Sequence, residues 1–248
     1  MLILETPQTE IWRFYAHNSL RNYSYALRDK ATHQALVIDP WDGEEILHFG
    51  RAKGWRWTAL LNTHQHADHT RGNEAFLRAG VPLQREALGL CAHGCPGHTA
   101  EHVVYHWREG EAEGWFLGDT LFQAGVGNCK NGGDPQVLYR SLQQLRSWLR
   151  PRAWLWVGHD YAAKNLDFAE SVGVHPSALR EARARLRGRD GFQSPAWTWE
   201  QELAVNPFLN LAGVDVRQVG DAAPGGLREQ EWDDEMLFVR LRSLRDRF

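Results

Sequence analysis

Cysteine is scarce in this chain, and so are long apolar runs and any excess of positive charge. Only 3 cysteines occur among the 248 residues, an odd number that argues against a disulfide framework. No segment approaches the roughly 20 apolar residues that cross a bilayer, and the acidic start does not resemble a signal peptide. The formal net charge of −3 lacks the basic excess of nucleic-acid-binding proteins. We therefore expect a cytoplasmic protein that binds neither membranes nor nucleic acids.

The first two-thirds of the chain alternates between strand-like and helix-like segments. Apolar runs at residues 22–27 and 35–39 predict strands, whereas the periodicity of residues 42–54 and 135–149 predicts helices. This alternation is typical of α/β proteins. We therefore predict an α/β domain over residues 1–165.

The remainder of the chain has a helical pattern. Residues 176–187 predict a helix, and residues 231–248 predict another, with Leu237 and Leu241 on its apolar stripe. We expect residues 166–248 to form a small helical domain.

The strongest chemical signal directly follows an apolar strand. Residues 64–69 read HxHxDH, which gathers three histidines and an aspartate within six positions. Imidazole nitrogen and carboxylate oxygen are ligand atoms for zinc and similar metals. A surface cluster of histidines is the alternative, but the strand before the motif disfavours it. The candidate ligands here are His64, His66, Asp68 and His69.

Three later motifs complete a resemblance to the metallo-β-lactamase superfamily. They are CPGHT at residues 95–99, GDTLF at 118–122 and GHDY at 158–161, and they follow HxHxDH in the order typical of that superfamily. The resemblance implies an αββα sandwich with a small C-terminal α-helical domain. It also implies two divalent metal ions, with zinc expected and iron or manganese as alternatives.

The same resemblance implies which residues bind each ion. The first ion would be bound by His64, His66, His98 and Asp119, and the second by Asp68, His69, His159 and Asp119. It assigns the catalytic carboxylates to Asp68 and Asp119, of which Asp119 lies between the ions. A water activated between two cations is the implied nucleophile.

Further segments resemble one family of this superfamily, glyoxalase II (hydroxyacylglutathione hydrolase). They are NYSY at residues 22–25, NPFL at 206–209 and the closing segment 238–248. The resemblance implies hydrolysis of S-(2-hydroxyacyl)glutathione, such as S-D-lactoylglutathione, to a 2-hydroxy acid and glutathione. The implied partner is therefore a small glutathione thioester, and the expected state is a monomer or a weak homodimer.

The resemblance also suggests how glutathione would bind. Tyr161, Arg242 and Arg245 match substrate-binding positions of the family, and arginine binds carboxylates through forked, charge-assisted hydrogen bonds. The chain departs from the family at Asn128, where a basic residue is usual. Lys130 lies two positions further on and is the candidate substitute.

A second departure keeps alternative functions open. The segment between His69 and His98 is shorter than is usual in the family, which suggests a more open cleft. The alternatives are a persulfide dioxygenase-like protein, another hydrolase of this fold with a different thioester or ester substrate, and a non-catalytic metal-binding protein. The NPFL segment and the region around Arg242 argue against the dioxygenase.

Overall fold

The computed structural model describes residues 1–215, 219 and 233–248. Within these ranges, no helix combines the length and the apolar character that a membrane-spanning segment needs. Cys91, Cys95 and Cys129 are all free, as the sequence predicts.

Two five-stranded sheets form the centre of the fold. In the first sheet, β1 to β4 pair antiparallel in sequence order and β5 pairs parallel with β4. Its strands are β1 (Leu2–Glu5), β2 (Thr9–Tyr15), β3 (Tyr23–Asp29), β4 (Gln34–Ile38) and β5 (Arg56–Leu61). A parallel pair needs a crossover, and α1 (Gly43–Ala52) provides it. The side chain of Asp42 caps this helix by accepting a hydrogen bond from the Glu45 amide.

The second sheet has the strand order β12-β11-β8-β7-β6. Its pairs are antiparallel except for β8 and β11, which α4 (Pro135–Trp148) connects. The strands are β6 (Cys91–Gly94), β7 (Val103–Glu109), β8 (Ala112–Gly118), β11 (Trp154–Val157) and β12 (Trp197–Thr198). A short hairpin of β9 (Leu121–Phe122) and β10 (Gly125–Val126) follows β8.

Among the residues that the structure describes, further helices with defined bounds lie after β5 and in the C-terminal part. They are α2 (Ala67–Thr70), α3 (Asn73–Arg78), α5 (Ala162–Ser171), α6 (Pro176–Leu186), α7 (Trp199–Leu203), a 3₁₀ turn (Leu211–Gly213) and α8 (Asp234–Arg245).

Alternating side chains place the two sheets face to face between helices. Leu36 and Ile38 of β4 pack in one core with Phe116 of β8, so these residues form the interior of a sandwich. Val37, between them in sequence, points the other way and packs against α1 and α3. Trp115 of β8 likewise packs on the outer side, in the core that contains α4. The predicted αββα sandwich is therefore confirmed.

The C-terminal helices extend one of these cores. Phe168, Phe208 and Phe238 belong to the same buried cluster as Leu142 of α4. The predicted boundary at residue 165 falls inside α5. The division into residues 1–165 and 166–248 stays a prediction.

Two local expectations differ from the structure. Neither of the first two strands was predicted; in β2, Arg13 is buried at an inward position and interrupts the apolar alternation. Its guanidinium donates hydrogen bonds to the carbonyl oxygens of Phe192 and Ser194. The final helix spans Asp234–Arg245, a shorter range than the predicted 231–248, because Asp233 caps it. Residues 231 and 232 lie outside the described residues.

Glu202 connects the C-terminal part to the hairpin that follows β8. One of its carboxyl oxygens accepts hydrogen bonds from the Ala124 amide, at 2.7 Å, and from Asn206 Nδ2, at 2.7 Å. Asn206, from the NPFL segment, also donates to the carbonyl oxygen of Gly125. Burial raises the pKa of Glu202 to about 8, although both hydrogen bonds oppose the rise.

This raised pKa predicts how the stability depends on pH. Between roughly pH 4.3, the ordinary pKa of glutamate, and about pH 8, the folded state holds a proton that the unfolded state has lost. The stabilisation is therefore complete at acidic pH and is lost as the pH rises through about 8. We expect Glu202→Gln to reduce this dependence, as measured by denaturant unfolding across the range. The exposed Glu200→Gln is the matched control, and equal pH profiles for the two variants would contradict the prediction.

Candidate metal centre

Seven side chains that follow the ends of four strands meet at one place. The four of the HxHxDH motif follow β5, and single residues follow β6, β8 and β11. Their ligand atoms form three groups, in each of which all atoms lie within 4.8 Å of one another. These groups are His64, His66 and His98; His64, His69 and Asp119; and Asp68, His69 and His159. The structure therefore brings together every residue that the sequence nominates as a ligand.

A tight turn after β8 delivers Asp119 to this cluster. Gly118, the residue before it, has a φ of +48°. A Cβ atom at this position would lie 2.4 Å from Thr63 Oγ1. Glycine suits this position for two reasons: it tolerates a positive φ, and it has no Cβ atom to collide with Thr63.

The first position is surrounded by three imidazoles. His66 Nδ1 lies 3.1 Å from His64 Nε2 and 3.0 Å from His98 Nε2. Asp119 Oδ2 lies 3.5 Å from His98 Nε2. Ligands of one tetrahedral zinc lie roughly 3.4 Å apart when each bond is about 2.1 Å. These separations therefore fit one cation.

The second position has two imidazoles and two carboxylates. His69 Nε2 and His159 Nε2 are 3.2 Å apart. Asp68 Oδ2 lies 3.5 Å from the former and 3.4 Å from the latter. Asp119 Oδ1 lies 3.2 Å from His69 Nε2, and its Oδ2 lies 3.3 Å from His159 Nε2. Asp119 thus lies between the two positions.

The outer hydrogen bonds fix where each imidazole carries its proton. His98 Nδ1 and His66 Nε2 face the carbonyl oxygens of Asn128 and Asn131, at 2.6 Å and 3.2 Å. Since a carbonyl only accepts, these nitrogens donate. The facing nitrogens, 3.0 Å apart, then both carry lone pairs. Two lone pairs at this distance repel unless a positive charge lies between them.

The second position follows the same pattern. His159 Nδ1 donates to the carbonyl oxygen of Leu20 at 2.8 Å, and His69 Nδ1 donates to Asp39 Oδ2 at 3.0 Å. Their Nε2 atoms therefore need a cation or one additional proton between them. Asp119 Oδ1 is buried and accepts no hydrogen bond from the described residues. An unpartnered buried carboxylate oxygen beside imidazole lone pairs suits a metal ligand.

Asp39 is a supporting residue that the sequence did not reveal. Its Oδ2 accepts hydrogen bonds from both His69 Nδ1 and Thr63 Oγ1, and its Oδ1 accepts from the Thr63 amide. Thr63 Oγ1 donates to Asp39 and therefore accepts from His64 Nδ1, at 3.0 Å. One carboxylate thus orients an imidazole of each position. The sequence feature that could have revealed Asp39 is an aspartate directly after the apolar strand β4.

Asn22 supports the side chain of Asp68, and His102 supports the backbone of Asp119. Asn22 Nδ2 donates to Asp68 Oδ2 at 2.9 Å. His102 Nε2 accepts a hydrogen bond from the Asp119 amide at 3.1 Å, and its ring stacks on that of His64. His102 therefore supports Asp119 and not the neighbouring His98, beside which the sequence places it.

Burial and charge set the protonation of the cluster. Burial lowers the pKa of His64 to about 2 and also lowers that of His98, so both are neutral at physiological pH. Burial acts in the same direction on His69, but Asp119 and Asp39 raise the pKa of His69 well above its usual value. Burial would raise the pKa of Asp119, yet His159 and His69 hold it well below its usual value. A proton on His69 and a cation would neutralise the same carboxylates, so a bound cation would take the place of that proton.

A cavity of about 220 Å³ lies beside this cluster. Tyr161 lines it and stacks its ring on His159, with centroids 4.8 Å apart. All five residues nominated for substrate binding line this cavity, namely Asn128, Lys130, Tyr161, Arg242 and Arg245. A larger cavity of about 460 Å³ lies beside the N-terminal strands, and its lining includes neither the seven clustered residues nor Tyr161.

The two arginines of this cavity have different surroundings. Arg242 is 6% exposed, and its guanidinium donates to the Val126 carbonyl oxygen and to Asp246 Oδ1. Arg245 is half-buried and donates from Nε and one Nη to Asn165 Oδ1. Its other Nη makes no hydrogen bond with the described residues. Arg245 is therefore the better placed of the two to bind an anion.

Two family models match the chain. The one described as the metallo-beta-lactamase superfamily matches residues 20–89. The one described as the hydroxyacylglutathione hydrolase C-terminus matches residues 160–248.

Whole-length relatives agree with these matches. The hydroxyacylglutathione hydrolase of Anaeromyxobacter dehalogenans is 36% identical and aligns over 91% of this chain and 95% of its own length. The hydroxyacylglutathione hydrolase of Polaromonas sp. is 32% identical, and the alignment covers 95% of this chain and 98% of that protein. The crystal structure of ETHE1 from Myxococcus xanthus has a TM-score of 0.59 at 22% identity, covering 84% of this chain and 87% of that one, which shows a likeness of fold.

The sandwich and the cluster at its strand ends define a protein of the metallo-β-lactamase superfamily. Within that superfamily, the chain belongs to the hydroxyacylglutathione hydrolase family. The family resemblance predicted from the sequence motifs is confirmed.

The dual contact of Asp39 predicts that one substitution weakens both cation positions. Asp39→Asn replaces one acceptor oxygen with a donor and removes the charge beside His69. We expect the affinity for divalent cations to fall by about 10- to 100-fold, measured by competition with a chelator. Asp42→Asn is the matched control, since asparagine also caps helices, and its affinity should remain at the wild-type value. Unchanged binding in Asp39→Asn would refute the supporting role.

Proposed function

We propose that the protein is a metal-dependent thioesterase that hydrolyses S-(2-hydroxyacyl)glutathione to a 2-hydroxy acid and glutathione. The observation that carries this proposal is that a cavity with basic walls adjoins the imidazole and carboxylate cluster through Tyr161, whose ring stacks on His159. Membership of the hydroxyacylglutathione hydrolase family supports the choice of substrate.

In this proposal two divalent cations share the ligands. The first would be bound by His64, His66, His98 and Asp119, and the second by Asp68, His69, His159 and Asp119. We propose zinc for both, because its preference for imidazole and carboxylate ligands fits this set; iron and manganese are the alternatives. When bound, such a pair lowers the pKa of water and polarises a carbonyl group.

The chain itself supplies the geometry for the reaction. Asp119 and Asp68 place negative charge where the cations must lie. The cavity that Tyr161 and Arg245 line would hold the glutathione half of the substrate. Arg245 would bind one carboxylate of glutathione, and the Tyr161 hydroxyl would lie next to that carboxylate. The leaving group is a thiolate, and thiols have a pKa of roughly 8.5. Its departure therefore needs no acid from the protein.

The alternative functions have less support. A persulfide dioxygenase-like activity does not explain the match of residues 160–248 to the hydroxyacylglutathione hydrolase C-terminus. We further propose that the protein acts in the cytoplasm as a monomer or a weak homodimer, and that 2-hydroxyacyl thioesters derived from methylglyoxal are among its substrates.

Loss of a ligand should abolish the reaction. We expect His66→Ala and Asp119→Ala to lower the rate of S-D-lactoylglutathione hydrolysis by at least about 100-fold and to reduce the metal content found by elemental analysis. The control is His48→Ala, which removes an exposed imidazole of α1. Near wild-type activity in either ligand variant, at matched stability, would disprove the thioesterase proposal.

The two arginines should affect catalysis in different ways. We expect Arg245→Ala to raise KM by roughly tenfold or more with a smaller effect on kcat, because it contacts a part of the substrate that does not react. Arg242→Ala should mainly lower the free energy of unfolding, since its hydrogen bonds are within the protein. Arg247→Ala, at an exposed position, is the control. If KM stays unchanged in Arg245→Ala, this residue does not bind glutathione.

A further inference from the structure

The loop that follows β10 contacts the first cation position through its backbone. The carbonyl oxygen of Asn128 accepts the hydrogen bond of His98 Nδ1 at 2.6 Å. Three residues later, the carbonyl oxygen of Asn131 accepts that of His66 Nε2 at 3.2 Å. One short loop thus orients two of the three imidazoles around this position.

The side chain of Asn128 sets the shape of this loop. Its Oδ1 accepts a hydrogen bond from the Lys130 amide at 3.0 Å. A side-chain acceptor bonded to the amide two residues on is an Asx turn, which substitutes for a backbone hydrogen bond. The turn fixes the peptide group of Asn128, whose carbonyl oxygen then faces His98.

Close packing at both ends leaves the loop little freedom to move as a whole. A Cβ atom on Gly127 would lie 1.9 Å from the carbonyl oxygen of Asp119. A Cβ atom on Gly133 would lie 2.3 Å from the carbonyl oxygen of Gly97 and 2.4 Å from that of His98. The loop therefore rests directly on two of the ligand-bearing segments. Between these contacts, the Asn128 side chain is the internal support of the turn.

We propose that Asn128 is a positioning residue for the first cation position and acts on His98 through its own carbonyl group. The inference rests on the proposed function, because His98 must be a metal ligand. It gives Asn128 a role other than contact with glutathione. A carbonyl that fixes the protonated nitrogen of an imidazole directs the lone pair of the other nitrogen and increases metal affinity.

The second position has separate supports. His159 is oriented by the carbonyl oxygen of Leu20, and Asp68 is held by Asn22. Neither contact involves the loop at residues 128–131. Loss of the Asx turn should therefore weaken one cation position and leave the other unchanged.

The experiment is a titration of the metal-free full-length protein with cobalt(II), followed by visible absorption and by competition with a chelator. Asn128→Ala removes the acceptor of the turn. Gln136→Ala is the matched control, because it also removes an amide side chain close to this loop, at an exposed position with no side-chain hydrogen bond to the described residues. Asn128→Asp keeps an acceptor at the same position, and thermal unfolding of each variant verifies that it is folded.

The inference predicts a selective loss. In Asn128→Ala, the affinity for one of two cobalt ions should fall about tenfold, and the absorption of that site should change. The other ion should bind as in the wild type. Gln136→Ala should match the wild type, and Asn128→Asp should restore binding.

Two outcomes would overturn the inference alone. They are wild-type cobalt binding in Asn128→Ala, and an equal loss in Gln136→Ala, which would indicate general loosening of this region. A wild-type protein that binds no cobalt would instead overturn the proposed function and, with it, this inference.

Discussion

Repulsion among inward-facing lone pairs is the constraint on which the rest of the structure depends. Imidazole nitrogens from three strand ends lie 3.0–3.2 Å apart, with their protons held on the outer side by carbonyl, hydroxyl and carboxylate acceptors. Such an arrangement is unfavourable without positive charge at its centre. The sandwich holds these groups together against their repulsion, and a bound cation would be coordinated by the same lone pairs.

The supports of this cluster come from distant parts of the chain. Asp39 follows β4, Leu20 and Asn22 precede β3, and Asn128 follows β10. Each connects a ligand to the backbone of a sheet or to a loop packed against it. The C-terminal helices share their core with α4. The cavity walls that they contribute are therefore held in a fixed position relative to the cluster, as the binding of a two-part thioester requires.

The sequence predicted the ligands better than their surroundings. The spacing of HxHxDH and three later motifs identified all seven side chains that the structure brings together, because short-range order along the chain determines which side chains leave a strand end. Asp39 and the carbonyl of Asn128 act through hydrogen bonds to residues 30 positions away, which no local pattern reveals. Arg13 concealed β2, since a buried guanidinium resembles a surface residue in the sequence. Arg242 matched a substrate-binding position of the family. The sequence motif does not reveal that its guanidinium donates hydrogen bonds to groups of the protein itself.

Anomalous X-ray diffraction from a crystal of the metal-loaded protein tests the central claim most directly. Data collected on either side of the absorption edge of the bound metal should show two peaks, one on each side of the Asp119 carboxylate. The first peak should lie among His64, His66 and His98, and the second between His69 and His159. No peak, or peaks outside this cluster, would contradict the account.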